Sequence, residues 1–230
     1  MSSKKLVSVI MSVYNAEKTL EHSVRSILSQ TYENIEFLIL DDFSTDRTKE
    51  ILKKLDLENE NIKLYQNNKN LGLTKSLNIL IEKSKGKYIA RQDADDTSSI
   101  NRIETQIKIM ETDSLDFSTT KARIKGTNKK IPNISYYIPK KLLLKYKNPF
   151  VHGSLVIKKE TLLNSGLYDE RFYYSQDYKL MIDLVSKGYK FKIIKEDLYC
   201  LNYFDNISIN FKEEQQYYAN CARKNINPKS

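Results

Sequence analysis

The chain has 230 residues, of which 29% are charged and 40% hydrophobic, which suits one α/β domain with a core of its own. Its apolar runs are far shorter than the roughly 18 residues of a transmembrane helix. Residues 1–5 lead into a strand pattern instead of the apolar centre of a signal peptide. Cys200 and Cys221 lack metal-ligand spacing and are expected to be free thiols. The composition therefore disfavours a membrane-spanning chain and predicts a cytoplasmic protein.

The net charge of +9 comes from 38 basic and 29 acidic residues. A basic surface suits nucleic acid, anionic lipid or a phosphorylated substrate. The basic residues are mostly dispersed lysines without an RNA-binding aromatic signature, so no nucleic-acid partner is predicted. A phosphorylated substrate, an anionic lipid surface and a solvated surface without a specific partner stay open as explanations of the charge.

Apolar strand-like segments alternate with amphipathic helical segments through the first 91 residues. Strands are predicted at 6–13, 35–40, 62–65 and 87–91, with a helix between each pair. Asn15 is expected to cap the first helix, and Gly86 to be the C-cap of the third. This alternation predicts an α/β fold with a mostly parallel central sheet flanked by helices.

Polar loops follow three of these strands, at 12–15, 41–42 and 93–96. Because ligands of parallel sheets bind beyond the carboxyl ends of the strands, we expect the three loops to form one site. A solvated acidic turn with helix-capping aspartates is the alternative for each loop taken singly. The convergence of all three favours a functional site.

Asp93, Asp95 and Asp96 place three carboxylates within four residues. Like charges this close repel and raise one another's pKa, so the cluster suits a divalent cation whose shell is completed by phosphate oxygens. No Gly-x-Gly-x-x-Gly follows the first strand and no Walker-type Gly-Lys-Ser/Thr occurs, which disfavours a redox dinucleotide or a P-loop. The pattern predicts a nucleoside diphosphate held by a divalent cation and carboxylates.

The second half of the chain carries weaker patterns. A helix with an apolar face is predicted from Ile100 to residue 110, and a strand at 155–157. Residues 139–147 form a basic amphipathic stretch, which suits either contact with an anionic membrane or an ordinary helix with solvated lysines. Residues 211–230 predict a helix followed by a polar end.

Four sequence segments occur in an order typical of one enzyme family. They are VSVIMSVYNAEKTLEHSVRSILSQTY, IEFLILDDFSTDRTKEIL, NLGLTKSLNILIEKSKGKYIARQDADD and HGSLVIKKETLLNSGLYDERFYYSQDYKLMIDLVSKG. Together they resemble family 2 glycosyltransferases of the GT-A fold, of the bacterial polysaccharide-assembly kind. The segments span most of residues 7–188, whereas 112–150 and 200–230 match weakly or not at all.

The resemblance implies a single GT-A-like domain over residues 1–230, with a Rossmann-like nucleotide-binding half. Residues 1–97 would bind the nucleotide-sugar, and residues 98–230 would bind the acceptor. Ser12 and Tyr14 would line the base and ribose of the donor. Asp42 would accept a hydrogen bond from the imide nitrogen of a uracil.

The resemblance also implies roles for the remaining carboxylates. Asp93 and Asp95 would form the family's Asp-x-Asp motif, with Asp95 on Mn²⁺ or Mg²⁺ and Asp93 on the ribose or sugar side of the metal site. Asp96 would assist them. Asp177, at a helix start, would be the general base of an inverting transfer; a carboxylate that only stabilises the helix N-terminus is the alternative.

Several positions depart from the family pattern. Phe43 stands where the family usually has Gly, and Gln176 where it often has Glu. The Arg-x-His pair that many relatives carry near the C-terminus is replaced by Asn202 and Phe204. If that pair contacts the diphosphate, another cation takes its place in this chain. The candidates are Lys75, Arg91 and His152.

The implied activity is transfer of a hexose or N-acetylhexosamine from a UDP-sugar to a saccharide or lipid-linked saccharide acceptor. It would serve capsule, lipopolysaccharide or exopolysaccharide assembly, with peripheral contact at the inner face of an anionic membrane. Two alternatives remain at this point. One is a non-catalytic or degenerate module that binds nucleotide or nucleic acid. The other is a sugar-1-phosphate nucleotidyltransferase, which normally has a glycine-rich basic loop that residues 14–17 do not provide.

Overall fold

Four parallel strands form the first half of the sheet. In the computed structural model, which describes residues 4–202 and 211–229, β1 (Val7–Val13) pairs in parallel with β2 (Ile35–Asp41) and with β4 (Tyr88–Arg91). β2 also pairs in parallel with β3 (Ile62–Gln66). The predicted strands are confirmed to within one residue at each end. The parallel pairing brings the carboxyl ends of all four strands to one edge.

Helices connect these strands in alternation. They are α1 (Leu20–Leu28), α2 (Thr48–Glu58) and α3 (Leu73–Lys83). Two expectations about their ends were wrong. α1 follows Thr19 and not Asn15, and α3 ends at Lys83 with Ser84, not Gly86, as its C-cap. Gly86 instead allows its backbone to approach β1 closely, because a Cβ there would lie 2.5 Å from the backbone nitrogen of Ser8.

The second half of the sheet is mixed in direction. Its strands are β5 (Thr97–Ser98), β6 (Phe117–Ile124), β7 (Lys130–Ile131), β8 (Val156–Lys158) and β9 (Phe191–Leu201). β8 lies antiparallel between β4 and β6, while β9 runs parallel to β6 and pairs with β5. The strand order is β3-β2-β1-β4-β8-β6-β9-β5, with β7 attached to β6. The overall architecture is therefore the predicted α/β fold with a mostly parallel sheet.

Five further helices accompany these strands in the described part of the chain. They are α4 (Arg102–Thr112), α5 (Lys140–Leu143), α6 (Lys159–Ser165), α7 (Gln176–Ser186) and α8 (Lys212–Lys224). Ile100 does not belong to the apolar face of α4, since it precedes the helix and is 59% exposed. The basic stretch at 139–147 contains only the single turn of α5. The predicted C-terminal helix is confirmed as α8.

The sheet separates two apolar layers. Because successive side chains of a strand point to opposite faces, Val9 and Met11 of β1 pack under α1, α2 and α4, while Ile10 packs under α3, α6 and α7. Full burial of each such aliphatic side chain contributes about 1.5–3 kcal/mol relative to exposure. The two layers hold the central strands rigidly, and the polar loops at their carboxyl ends are thereby fixed in position.

No helix among residues 4–202 and 211–229 combines the length and the apolar character that a membrane crossing demands. Cys200 and Cys221 are both free thiols, as the sequence predicted.

Candidate active site

The loops after β1 and β2 are joined by direct hydrogen bonds. The Asn15 side chain accepts the Thr45 N–H at 2.8 Å, and the Ser44 hydroxyl accepts the Asn15 N–H at 3.0 Å. The Thr48 hydroxyl accepts the Ala16 N–H at 2.9 Å. Asn15 therefore bridges two loops instead of capping a helix. These bonds confirm that the first two polar loops converge at one edge of the sheet.

Phe43 adopts the left-handed backbone conformation, with φ of +68°. Glycine takes this conformation freely, whereas other L-residues pay about 1–2 kcal/mol for it. The loop nevertheless stays tight, because the Asp41 carboxylate accepts the Ser44 N–H at 3.0 Å. Phe43 therefore carries a backbone strain that glycine would not, in a loop that the Asp41 carboxylate closes.

Asp42 is buried and held by three donors of the protein. Its Oδ1 accepts the Asn67 amide at 2.7 Å and the Leu71 N–H at 2.8 Å, and its Oδ2 accepts the Gly72 N–H at 2.8 Å. The carboxylate is 2% exposed as a residue and fixes the loop that leads into α3. These bonds leave one lone pair of Oδ2 able to accept a further hydrogen bond. That this oxygen contacts a uracil stays a prediction.

The other expected donor contacts lie on the same edge. Ser12, near the end of β1, is half-buried, while Tyr14 in the following loop is 52% exposed. Tyr173 is 54% exposed and lies against Gly72, so that a Cβ on Gly72 would be 2.8 Å from the Tyr173 ring. Lys75 on α3 is exposed. An aromatic side chain of the second half thus borders the donor loops of the first.

Arg91, the last residue of β4, is buried and forms an ion pair with the first carboxylate of the acidic cluster. Its two terminal nitrogens donate to Asp93 Oδ1 at 2.7 Å and Oδ2 at 3.0 Å, a bidentate ion pair. Arg91 is 2% exposed. The structure therefore directs its guanidinium at Asp93, and not toward open solvent where a diphosphate would lie. The Asp93 N–H in turn donates to the Tyr199 hydroxyl at 3.1 Å.

Asp95 and Asp96 differ in their surroundings. Burial and the neighbouring charge of Asp93 raise the pKa of Asp95 to about 6. Burial, with the charges of Asp93 and Asp95, raises the pKa of Asp96 to about 8. Asp96 Oδ1 accepts the Asn202 N–H at 2.7 Å. Asp96 thus anchors the end of β9, while Asp95 forms no ion pair with a cation within the described residues.

His152 lies in a turn of 3₁₀ helix, His152–Ser154, and is held neutral. Burial, together with the positive charge of Arg91, places the pKa of His152 well below its usual value. Its Nε2 is 2.7 Å from the Tyr168 hydroxyl. The structure thus gives His152 a hydrogen-bonding role. Of the three residues considered as cations for the diphosphate, only Lys75 is exposed and takes no part in the Arg91–Asp93 ion pair.

Gly153 makes room for the carboxylate and the tyrosine behind it. A Cβ at this position would lie 2.6 Å from Asp93 Oδ2 and would overlap the Tyr199 ring. The backbone at 153 is not in the left-handed region, so space and not torsion requires glycine here. The His-Gly-Ser segment therefore packs its backbone directly against the acidic cluster.

Asp177 opens α7 and is oriented by a residue from the preceding loop. The Asn148 amide donates to Asp177 Oδ2 at 2.8 Å. Burial raises the pKa of the Asp177 carboxyl above its usual range, and the hydrogen bonds from the Tyr178 backbone and from Asn148 oppose that rise. Ser175, just before the helix, has φ of +53°, a strained value for a residue with a side chain.

The charge of Arg91 acts on side chains from both halves of the chain. Its charge opposes the rise that burial causes in the pKa of the Asp177 carboxyl and in the pKa of Tyr168. Asp93 pairs with the same guanidinium. Arg91 at the end of β4 thus acts electrostatically on Asp177 at the start of α7, 86 positions further along the chain.

The donor set fits a divalent cation that is completed by substrate oxygens. Within the described residues no three His, Cys, Asp or Glu side chains converge as an all-protein metal cluster. Mg²⁺ and similar hard cations are usually held by one or two carboxylates plus substrate phosphates. Asp95 suits this role, since burial and the charge of Asp93 raise its pKa more than the charge of Arg91 lowers it.

Three residues of the site were not found from the sequence. Each of them contacts a residue that the sequence analysis did name; they are Asn148, Tyr168 and Tyr199. Asn148 lies in the stretch that matched no motif. Tyr199 is contributed by β9, whose position beside β6 and β5 is a consequence of sheet order. Phe204, one of the departures from the family pattern, lies outside the described residues.

Solved structures share this architecture. The mannosyltransferase PcManGT from Pyrobaculum calidifontis in complex with GDP-Man and Mn²⁺ superposes with a TM-score of 0.78 at 17% identity, over 94% of this chain and 62% of that one. S. aureus TarS 1–349 in complex with UDP-GlcNAc gives 0.76 at 18% identity, over 89% and 60%. The fold is that of the GT-A glycosyltransferases, and this chain spans less than two thirds of these two proteins.

Curated sequences are similar over most of their length. An uncharacterized glycosyltransferase of Methanocaldococcus jannaschii is 34% identical over 226 residues, 93% of this chain and 77% of the relative. The UDP-Glc:alpha-D-GlcNAc-diphosphoundecaprenol beta-1,3-glucosyltransferase WfaP of Escherichia coli is 36% identical over 194 residues, 81% and 72%. The model of the glycosyl transferase family 2 matches residues 8–166. The chain belongs to this family and is a glycosyltransferase.

Proposed function

We propose that the protein is an inverting, metal-dependent transferase that moves a hexose or N-acetylhexosamine from a UDP-sugar to a saccharide acceptor in surface polysaccharide assembly. The observation that carries this proposal is a pair of separately held carboxylates, Asp93 paired with the buried Arg91 and Asp177 hydrogen-bonded by Asn148. One belongs to the acidic cluster that suits a donor diphosphate, and the other is an isolated, oriented carboxyl with a raised pKa. Such pairs of separately tuned groups are typical of catalytic sites.

The choice of donor is supported by the relatives. A UDP-GlcNAc complex and a UDP complex of TarS share the fold, and WfaP and WfgD of Escherichia coli use UDP-Glc by name. In this chain Ser12, Tyr14 and Asp42 would line the nucleoside. Lys75 would approach the diphosphate from the N-terminal turn of α3, where the helix dipole also favours an anion. Residues 1–97 would thus bind the donor, and 98–230 the acceptor.

Asp177 would act as the general base. The acceptor hydroxyl oxygen attacks the anomeric carbon of the donor sugar, its proton passes to Asp177, and the bond from that carbon to the diphosphate breaks, so that UDP leaves with the electron pair. Such proton transfer contributes about 10²–10⁴-fold in rate. Asn148 donates to Oδ2 of Asp177 and thereby orients the carboxyl. Attack opposite the leaving group inverts the anomeric centre.

Asp95, with Asp93 beside it, would hold Mn²⁺ or Mg²⁺. When bound, the cation supplies a Lewis acid that offsets the charge developing on the leaving diphosphate. Arg91 then acts as a positioning residue, since its bidentate contact sets the orientation of the Asp93 carboxylate and balances part of the cluster's negative charge.

Calorimetric titration with UDP, GDP, CDP and dTDP, each with and without Mn²⁺, tests the donor half of the proposal. We expect selective and Mn²⁺-dependent binding of UDP. In Asp95→Asn the Mn²⁺-dependent part of the affinity is expected to disappear, because a neutral amide is a poorer ligand for a hard cation. Unchanged UDP affinity with Mn²⁺ in this variant would remove Asp95 as a metal ligand, and a different preferred base would overturn the donor assignment.

Asp177→Asn tests the catalytic half. The variant is expected to bind UDP and Mn²⁺ like the wild type, while transfer of sugar falls by at least about 100-fold through loss of the base. Turnover is followed as UDP release in the presence of saccharide acceptors. Retained turnover in this variant would exclude Asp177 as the base.

A further inference from the structure

The C-terminal helix α8 lies beyond residues 8–166, which match the family model, and carries none of the family's motifs. It nevertheless packs against α7, whose first turn carries the proposed base, Asp177. Cys221 and Ala222 of α8 are buried in one apolar cluster with Phe172, which precedes α7. A helix outside the recognised family pattern therefore contacts the segment that leads to the base.

One contact of α8 fixes the backbone just before the base. The Ser175 hydroxyl donates to the backbone oxygen and to the side-chain Oε1 of Gln215 on α8, both at 3.0 Å. Ser175 is buried and has the left-handed backbone conformation. Such strain persists only where the surrounding structure fixes it, and these hydrogen bonds supply part of that restraint.

A second contact of α8 involves Arg223, in the last turn of the helix. Its Nη1 donates to the Tyr146 carbonyl at 2.5 Å. Its charge also opposes the rise that burial causes in the pKa of the Tyr178 hydroxyl, a group of α7. That hydroxyl donates to the Leu144 carbonyl at 2.5 Å. The guanidinium therefore joins α8 both to α7 and to the segment 144–146.

These contacts fix the chain immediately before Asn148. The Leu144 and Tyr146 carbonyls, four and two residues before it, are held by side chains of α7 and α8. Asn148 Oδ1 accepts the Phe150 N–H at 3.0 Å, so the amide nitrogen is the atom that faces Asp177. The position of this amide relative to the base therefore depends on where α8 holds the preceding segment.

We propose that Arg223 is a positioning residue for the base, because it holds the segment before Asn148 in place and so keeps the Asn148 amide on the Asp177 carboxylate. The proposal rests on the function proposed above, in which Asp177 is the base, and adds a role for the C-terminal helix. The alternative is that Arg223 only stabilises the C-terminus of α8, where a positive charge is favourable. Lys224 is exposed in the same turn and shares that charge, so it provides the matched control.

The pKa of Asp177 depends on a small set of groups. Burial raises it, while the Tyr178 N–H, the Asn148 amide and the charge of Arg91 oppose the rise. Tyr168 and Tyr178 are the titratable hydroxyls that face it, and burial raises the pKa of both, so they stay neutral. α8 supplies none of the groups that act on this carboxyl directly.

An effect of Arg223 on the pKa of Asp177 must therefore pass through Asn148, and urea unfolding across pH measures it without donor or acceptor. The difference in the free energy of unfolding between a protein and its Asp177→Asn form levels off above the folded pKa of Asp177. In Arg223→Ala we expect this levelling at a pH higher by about 0.5–1 unit, because the hydrogen bond from Asn148 is weakened. Lys224→Ala is expected to level off where the wild type does.

Arg223→Lys keeps the charge and the aliphatic stem but lacks the planar fork, so its shift is expected to be smaller than that of Arg223→Ala. In Asn148→Ala, the further change Arg223→Ala is expected to cause no additional shift, since the hydrogen bond that Arg223 positions is already absent. Calorimetric titration should show UDP affinity in the presence of Mn²⁺ within about twofold of the wild type in each Arg223 variant, because α8 does not contact the donor loops.

The same shift with and without Asn148 would overturn the proposal. So would an Arg223→Ala protein that loses stability equally at every pH, which is the result of a purely structural contact. A shift in Lys224→Ala equal to that in Arg223→Ala would also overturn it. Retained turnover in Asp177→Asn would remove the base from the proposed function but would leave this linkage measurable, so the two failures are distinguished.

Discussion

At the scale of single residues, one side-chain hydrogen bond orients the carboxyl of the proposed base. The Asn148 amide donates to Asp177 Oδ2 at 2.8 Å at the start of α7. This contact both orients the carboxyl and opposes the rise of its pKa that burial causes. Asn148 belongs to no motif, so the sequence alone did not indicate it.

Asn148→Ala is expected to lower kcat/KM at neutral pH by about 10–100-fold, the loss of one hydrogen bond to a charged group. The pKa of Asp177 should rise further, because burial is then less opposed. A base works in its deprotonated form, so the acidic limb of the kcat/KM profile should move to higher pH, and part of the activity should return there. The pH profile of UDP release measures both effects.

Asn128→Ala, in the exposed turn between β6 and β7, is the control for this variant. It is expected to leave the pH profile unchanged. An Asn148→Ala enzyme with a lower rate but an unshifted acidic limb would mean that Asn148 only supports the loop, and the orienting role would be wrong.

At the scale of elements, strand ends and helix starts carry nearly every functional group. Asp42 is an example at the end of β2. Its carboxylate accepts hydrogen bonds from the Leu71 and Gly72 N–H groups just before α3. The side chain thereby links the end of β2 to the start of a helix. A role in folding and a role in base recognition are therefore both open to the same residue.

Asp42→Asn is expected to lower the free energy of unfolding by about 1–3 kcal/mol, because the amide NH₂ faces donors that the carboxylate satisfied. Urea unfolding measures this change, with the exposed Asp56→Asn on α2 as control. The nucleotide panel separates the two roles. If Asp42 recognises uracil, the ratio of UDP to CDP affinity changes in the variant, whereas a purely structural role lowers both affinities alike.

At the scale of the whole molecule, the active site lowers stability in return for reactivity. The buried Asp177 carboxyl has a raised pKa, so the folded protein retains a proton that the unfolded chain has already released. Between the unfolded pKa of about 3.9 and the higher folded one, the free energy of unfolding contributed by this group falls as pH rises. Above the folded pKa the loss is complete.

Asp177→Asn should therefore be more stable than the wild type, although its transfer activity is expected to fall. The difference in the free energy of unfolding should be small near pH 4, grow as pH rises, and level off above the folded pKa of Asp177. Urea unfolding across this range measures it, with Asp56→Asn again as a variant of equal charge change. A difference that is independent of pH would contradict a raised pKa for Asp177.

Much of the fold could be predicted because local patterns and topology agree. The apolar runs of β1 to β4 are buried on both faces, so their hydrophobicity marks them as strands, and their parallel order brings three polar loops to one edge. Family motifs then indicated the carboxylates. The prediction that the capping residue was Asn15 failed because its side chain finds partners across space in the next loop.

The sequence by itself determined the α/β class, the alternation of the first half and the identity of the acidic residues, since these depend on short-range periodicity and local charge. Only the tertiary structure decided the states of the side chains. It paired Arg91 with Asp93, kept His152 neutral, placed Asn148 on Asp177 and required glycine at 153. Each of these depends on groups distant in sequence whose burial changes the energy of a charge, and burial is a property of the packed chain.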